Sequence, residues 1–390
     1  MRVDPARAPR LVAWEVTRAC DLACVHCRAV AQPHADPRQL STDEAYRLVD
    51  DIAAFQEPVI LILTGGDPMK RADIFSIAAR ASQAGLRVVM SPSGTHVTPA
   101  SVKAMKQAGV QRISVSLDGS TPALHDAFRQ VPGAFAAATQ SLAYAKEGGL
   151  PFQVNTTVTR HNRHDLTDML RLAVEIGAAA WDVFMLVPTG RGKIQMEITP
   201  EEYEETLHFV YEVSRTAPIQ VKMTCAPHYK RVQVQERRRE RGQGAPGGRP
   251  GAHPAHGFSR GCMAGYGFCF VSHIGEVGGC GYLPLLAGSI REASLAEIYR
   301  QSPLFQSIRD VNLLQGRCGI CEYRALCGGC RARALGATGN YLEEEPFCIY
   351  QPNPRAPREL IDVEAILARA ATHESRTEGT PHRDLVPPAF

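Results

Sequence analysis

Three cysteines, Cys20, Cys24 and Cys27, stand as C-x3-C-x2-C directly behind an apolar run at residues 11–16. Such a run reads as a buried strand, which puts the three thiols on one loop at its C-terminal end. Three thiolates on one short loop can cap three irons of a cubane cluster and leave the fourth iron open, whereas fully ligated clusters usually take four cysteines. An open coordination position is where metal chemistry happens. The bland alternatives are a structural zinc loop and a disulfide pair. Zinc usually closes with a fourth nearby Cys or His. His26 is the only local candidate, and it lies between two of the ligands.

Behind this loop the chain alternates strand and helix. Ser41, Asp43 and Glu44 open a helix with a hydroxyl cap and acids in the first turn, and its apolar face runs through Ala45, Leu48, Val49 and Ile52. Buried strands are expected over residues 11–17, 59–63, 86–90, 112–117, 152–158 and 180–187. Further helices are expected over 71–84, 100–108, 133–148 and 163–176. A helix over 201–216 and a strand over 219–223 close the series. Continuous apolar strands alternating with helices argue for a parallel α/β sheet. Right-handed crossovers then give a barrel or a doubly wound sheet, and periodicity does not choose between them.

The composition changes after this series. Residues 230–261 are rich in Arg, Gly, Pro and His, and read as a linker or lid. The run Arg237, Arg238, Arg239 and Arg241 is a candidate for an acidic substrate, but such runs are more often a solvated helix face. Then the cysteines return. Of twelve in the chain, eight lie between Cys262 and Cys348, and only Cys225 stands apart, reading as a plain buried thiol. Residues 271–280 read as a short hairpin ending in a cysteine. Cys318, Cys321, Cys327 and Cys330 form C-x2-C-x5-C-x2-C, with Cys348 beyond, a pattern for a second metal site; zinc is its bland reading. Without an apolar leader, this many cysteines point to a reducing cytoplasm. No apolar run is long enough to span a membrane. A net charge of +3 gives no ground for nucleic acid binding.

The cysteine loop, the turn Thr64-Gly65-Gly66-Asp67-Pro68 and the six strand–helix units resemble the radical S-adenosylmethionine (SAM) enzymes. The resemblance covers residues 10–354 apart from the linker. It implies a partial (β/α)6 TIM-type barrel with active residues at the C-terminal ends of its strands. It implies a 4Fe–4S cluster on Cys20, Cys24 and Cys27 whose open iron chelates the amino and carboxylate groups of SAM. One electron then cleaves SAM to a 5′-deoxyadenosyl radical, which abstracts hydrogen from substrate. His26 fills the place where the family prefers an aromatic residue.

By the same resemblance, Gly65, Gly66 and Asp67 receive the SAM amino group, with Asp67 a shorter arm than the family's glutamate. Ser91 begins the turn after the third strand. Ser116 and Asp118 lie near the SAM ribose or substrate. Arg129 pairs with the SAM carboxylate, for which its fork is suited. Asn155 faces the same rim, and the loop 187–192 packs on the adenine. Away from the resemblance, these are ordinary strand-to-helix turns and a surface cation.

The cysteine-rich part resembles the SPASM extension of the family, which holds auxiliary clusters. Carried over, Cys318, Cys321, Cys327 and Cys348 hold one 4Fe–4S cluster. Cys262, Cys280 and Cys330, with Cys269 as fourth ligand, hold another, so one or two auxiliary clusters are expected. Two residues rather than three separate Cys327 and Cys330, a departure from the commonest pattern. The expected organisation is an arm 1–10, a core 11–228, a linker or lid 229–260, a SPASM-like domain 261–355, and a C-terminal helix and tail 356–390.

Within the family, the stretches Cys262 to His273, Gly281 to Leu285 and Cys327 to Ala334 resemble the haem and haem d1 biosynthesis branch. That branch includes alternative haem pathway decarboxylases acting on two propionates of iron-coproporphyrin III. The implied activity is an oxidoreductase that removes hydrogen from the carbon next to the carboxylate-bearing one. CO2 leaves, a vinyl group remains, and one electron passes to an auxiliary cluster. The alternatives are a peptide-modifying radical SAM maturase and a non-catalytic iron–sulfur or zinc module. The implied partners are a tetrapyrrole or peptide substrate and an electron donor such as a flavodoxin or ferredoxin. Arg28, Arg191 and Arg260 are candidates for propionates, and His96 or His273 for a haem iron.

Overall fold

Seven parallel strands follow one another in chain order around an open barrel. They are β1 (Leu11–Thr17), β2 (Ile60–Gly65), β3 (Arg87–Met90), β4 (Val110–Ser116), β5 (Phe152–Val158), β6 (Ala180–Met185) and β7 (Gln220–Thr224). Outside them lie α1 (Thr42–Ala53), α2 (Ile74–Gln83), α3 (Pro99–Gln107), α4 (Pro122–Arg129), α5 (Ala134–Glu147), α6 (Leu166–Glu175), α7 (Pro200–Thr216) and α8 (Tyr229–Gly242). The computed structural model describes residues 4–242 and 260–353. The expected C-terminal helix and tail, the rest of the linker and the first residues of the arm lie outside the described residues.

The helices begin where the sequence supplies caps. Ser41 accepts from the Glu44 amide while Glu44 accepts from the Ser41 amide, a reciprocal box that starts α1. Thr98 and Thr199 start α3 and α7, each followed by proline at the first helical position. Between β4 and β5 the chain forms two helices, not one. Thr121 and Pro122 start the extra helix, α4, which delivers Arg129 to the rim of the barrel.

The strands are two-faced. On β5, Phe152, Val154 and Val158 are buried outward, while Gln153, Asn155 and Thr157 face the barrel interior. The hydrophobic core therefore lies between the outer faces of the strands and the helices. The interior is an open cavity, so β5 and β3 alternate with period two, while β1 and β6 keep the expected near-continuous burial.

Two boundaries differ from the sequence reading. Residues 229–242, assigned to the linker by composition, form α8. Tyr229 and Val232 join the core, and Arg231 pairs with Glu204 of α7 at 2.5 Å. The cysteine-rich part is not set apart from the core at residue 260. Its strand β8 (Phe268–Val271) pairs in parallel with β1, placing Leu11 beside Phe268 and Trp14 beside Val271. β9 (Glu276–Gly278) returns antiparallel, and β10 (Gly288–Ser289) ends the sheet. One sheet thus runs from the barrel into the cysteine-rich part. Among the described residues its ends, β7 and β10, do not pair.

A buried carboxylate joins these two parts. Glu15 on β1 accepts from Arg28 at 2.8 Å and Arg18 at 3.1 Å, and lies 2.9 Å from His273 Nδ1. Burial works against its charge, but His273, Arg28 and Arg18 outweigh that and hold its pKa down to about 2. The unfolded chain therefore takes up the proton first, and the contribution is complete only above the ordinary value of 4.5. The expected outcome is that wild type exceeds Glu15→Gln by roughly 3 kcal/mol at pH 7, a margin that shrinks as pH falls from about 4.5 toward 2. Urea unfolding of the metal-free proteins at several pH values measures it.

Candidate active site

The cysteine loop leaves β1 at Thr17, and its neighbours hold its shape. Cys20 N donates to Gln32 O at 2.8 Å, and Gln32 N returns to Arg18 O at 3.0 Å. The end of α4 receives Ala23 N at Arg129 O (3.2 Å) and Val25 N at Phe128 O (3.1 Å). Cys20 and Cys24 are buried, and Cys27 is partly exposed. Each thiol receives an N–H: Leu22 to Cys20 at 3.4 Å, Ala31 to Cys27 at 3.5 Å, and Arg129 Nη1 to Cys24 at 3.4 Å. Burial pushes the Cys20 thiol up to about 11. His26 stacks on Phe128 with ring centres 4.3 Å apart, and its Nδ1 is buried without a partner. Burial, then Arg129 and Arg191, keep its imidazole well below the usual range and so neutral.

The glycine turn packs directly on this loop. Gly66 N donates to Thr17 O at 2.8 Å and Asp67 N to Ala19 O at 2.7 Å. A Cβ at Gly66 would stand 2.4 Å from Ala19 O and 2.6 Å from Arg18 O, so only glycine permits this approach. Asp67 does not reach the cavity. Its carboxylate is fully buried and takes bonds from Met69 N at 3.0 Å, Ser93 Oγ at 2.5 Å and Thr95 Oγ1 at 3.4 Å. The shorter arm is spent on capping its own turn, and Ser93 lines the cavity beside Gly65 and Gly66.

The remaining expected SAM residues separate into two groups. Ser91, Ser116, Arg129 and Asn155 line the cavity. Asp118 lies behind them, wholly buried, paired with Arg129 Nη2 and accepting from Thr157 N at 2.6 Å. Burial pushes the Asp118 carboxyl up, while Arg129 and the Thr157 amide oppose it. Burial also works against the Arg129 charge, but Asp118 and Cys24 raise its pKa above the ordinary value. Arg129 Nε is buried without a partner. The loop 187–192 braces the cysteine loop: Arg191 Nε donates to Cys24 O at 2.9 Å and Nη1 to Ala31 O at 3.1 Å. Arg191 accordingly does not line the cavity, whereas Arg28 and Arg260 do. His96 pairs with Asp21 on the surface. His273 is buried between Glu15 and Asp36, so neither histidine faces the cavity.

The later cysteines part into two sets. Cys318, Cys321, Cys327 and Cys348 line one small cavity. They receive Glu345 N on Cys318 at 3.4 Å, Tyr323 N on Cys321 at 3.4 Å and Gly329 N on Cys327 at 3.5 Å. Gly328 and Gly329 both have left-handed φ, +75° and +60°, and this turn sends Cys330 away from Cys327. Cys330 packs instead with Cys262, Cys280 and Cys225. Cys269, the expected fourth member, is not there. It sits on β8 opposite Val12, fully buried in the core outside the barrel. Alternation along β8 turns Phe268 and Phe270 to the cavity and Cys269 away. Cys225, read from sequence as a plain thiol, takes its place beside the other three. No local spacing signals this, because Cys225 stands alone at the end of β7.

One cavity of about 1980 Å³ runs through the barrel interior and out to α7 and α8, and its lining includes both Cys20, Cys24 and Cys27 and Cys225, Cys262, Cys280 and Cys330. Its lining carries Arg28, Arg112, Arg129, Arg215, Lys222, Lys230, Arg237 and Arg260 against Asp182, Glu212 and Glu240. Burial and Arg237 bring Lys230 down to about 8. Of the arginine run, Arg237, Arg238 and Arg239 are all exposed, Arg237 at the edge of the cavity, and the Arg241 side chain lies outside the described residues.

A model for the radical SAM superfamily matches residues 14–173, and one for the SPASM iron–sulfur cluster-binding domain matches residues 262–331. The chain is 47% identical to the AdoMet-dependent heme synthase of Methanosarcina barkeri, over 89% of this chain and 98% of that protein. It is also 47% identical to the protein of that name from Nitratidesulfovibrio vulgaris, over 91% and 96%. Streptococcus suis SuiB bound to S-adenosylmethionine shares the fold with a TM-score of 0.67 at 16% identity, over 88% of this chain and 78% of that one.

The chain belongs to the radical SAM superfamily. It is an enzyme with a TIM-like core, and it uses a 4Fe–4S cluster and SAM, with auxiliary iron–sulfur clusters in its C-terminal part. The residues fit those groups. Soft thiolates with N–H donors on their sulfurs suit iron–sulfur clusters. Among the described residues, no three Cys, His, Asp or Glu side chains converge on a single ion. A cubane takes one thiolate per iron, so its ligands stand further apart than zinc's.

Gly66→Ala tests the clasp between turn and loop. The expected loss is about 2–3 kcal/mol in urea unfolding, with faster removal of iron by a chelator. Gly336→Ala, on the exposed face of helix Arg331–Thr338, is the control, with stability unchanged or raised by about 0.5–1 kcal/mol.

Proposed function

We propose that the enzyme acts on a tetrapyrrole bearing propionates, removing them by oxidative decarboxylation to vinyl groups. The observation that carries this reading is the large cationic cavity whose walls carry two separate cysteine sets. Drug-sized ligands occupy roughly 300–1,000 Å³, so the space is large enough for a bigger substrate beside SAM. The named activity of the relatives, heme synthesis, points the same way. Iron-coproporphyrin III is the substrate to try first.

Cys20, Cys24 and Cys27 would hold the SAM cluster, and Gly65, Gly66, Ser91, Ser116, Asn155 and Arg129 would surround SAM. When bound, the cluster and SAM would supply the hydrogen-abstracting chemistry, and the auxiliary clusters would supply an acceptor for the electron released with CO2. The chain's residues do the positioning. Asp118 keeps Arg129 charged and fixed for the SAM carboxylate. Neutral His26 offers a flat apolar face beside the third cysteine. Arg260, stacked 5.1 Å from the Tyr266 ring with Nη1 on Arg309 O at 3.1 Å, is placed to take a propionate, whereas Lys222 is paired with Asp182 at 3.6 Å.

Cys24→Ala is expected to lose about four irons per chain and all 5′-deoxyadenosine formation. Cys321→Ala is expected to retain SAM cleavage and lose the decarboxylated product. Anaerobic assays with dithionite and iron-coproporphyrin III, read by mass spectrometry, measure both. Undiminished cleavage in Cys24→Ala would overturn the SAM site. Undiminished product in Cys321→Ala would make that cysteine set structural.

A further inference from the structure

We propose that Cys225 is the fourth thiolate of the auxiliary site formed by Cys262, Cys280 and Cys330, and that it closes that site against substrate. This rests on the auxiliary-cluster reading above.

Cys225 stands one residue beyond β7, where a TIM-type barrel presents its functional groups. It packs in one cluster with Cys262, Cys280 and Cys330, and all four line the cavity. Cys269 lies instead on β8 opposite Val12, in the core outside the barrel.

The backbone supports the same assignment. Cys225 has φ +59°, a left-handed conformation that a side chain rarely adopts unless the surroundings impose it. Its carbonyl is tethered to the main chain of Cys330 through two buried side chains. Arg333 Nη2 donates to Cys225 O at 2.7 Å, and Arg333 Nε donates to Glu345 Oε1 at 2.8 Å. Glu345 Oε2 in turn accepts from Cys330 N at 2.7 Å. One buried ion pair therefore sets the main chain of Cys225 against that of Cys330. Strained backbone held by a buried pair is characteristic of a functional position. With four thiolates, the site has no open position, so it takes part by moving electrons and not by binding substrate.

The test is made in the Cys20/Cys24/Cys27→Ala protein, which isolates the auxiliary sites, by iron and sulfide analysis and electron paramagnetic resonance after anaerobic reconstitution. That parent is expected to hold about eight irons per chain. Adding Cys225→Gly should open one iron of one cluster, changing that cluster's spectrum and releasing up to about four irons. Glycine accepts the left-handed backbone without strain, so the metal-free variant should melt at the same or a higher temperature. Adding Cys269→Ala should leave the iron content and spectrum unchanged. Full iron with an unaltered spectrum in Cys225→Gly would overturn the assignment of Cys225 alone. A parent with about four irons, all lost on Cys321→Ala, would overturn it together with the two-site reading.

Discussion

The cysteine loop contains neither helix nor strand, so its shape depends on what its neighbours press against it. The closest contact is backbone on backbone: the Gly65-Gly66 turn lies against Thr17, Arg18 and Ala19 with no room for a Cβ. Arg191 grips the far side through Cys24 O and Ala31 O, and the last turn of α4 holds the middle. Below it, Glu15 gathers Arg18, Arg28 and His273. These contacts set three thiols before any metal arrives, as a site with demanding geometry requires. The glycines that the family resemblance assigns to SAM thus have a second, purely mechanical role.

The barrel supplies the setting. Its outward faces build the core with the helices, which frees the inward faces to carry Ser, Thr, Gln, Asn and charged groups. The cavity so formed reaches both the cysteine loop and the set around Cys330. The two auxiliary sets are joined behind it by Glu345, whose amide donates to Cys318 and whose carboxylate accepts from Cys330 and Arg333. Breaking a buried pair of this kind leaves an uncompensated charge, at a cost of about 3–5 kcal/mol. Arg333 and Glu345 are therefore structural necessities for both sets at once.

Much of this was legible in the chain, and the exceptions share a cause. Strand and helix order followed from local apolar runs and caps, because those signals are confined to a few residues. The partition of Cys327 from Cys330 was available by resemblance, and the left-handed glycines between them explain it. The pairing of β8 with β1 was hidden, since Leu11 and Phe268 meet only in three dimensions. Cys225 was hidden for the same reason: its partners all come from the C-terminal part. Asp67, His96 and His273 have residue types that suit chemistry, yet each is spent on protein partners. Only the hydrogen bonds reveal that.

The most direct measurement is turnover of iron-coproporphyrin III carrying deuterium on the carbon next to each carboxylate-bearing carbon, under anaerobic reduction with SAM. The account predicts deuterium in the 5′-deoxyadenosine, with CO2, vinyl groups and 5′-deoxyadenosine formed in equal amounts. Cleavage of SAM with no deuterium transferred and no vinyl group formed would contradict it. The cationic cavity would then belong to another polyanionic substrate.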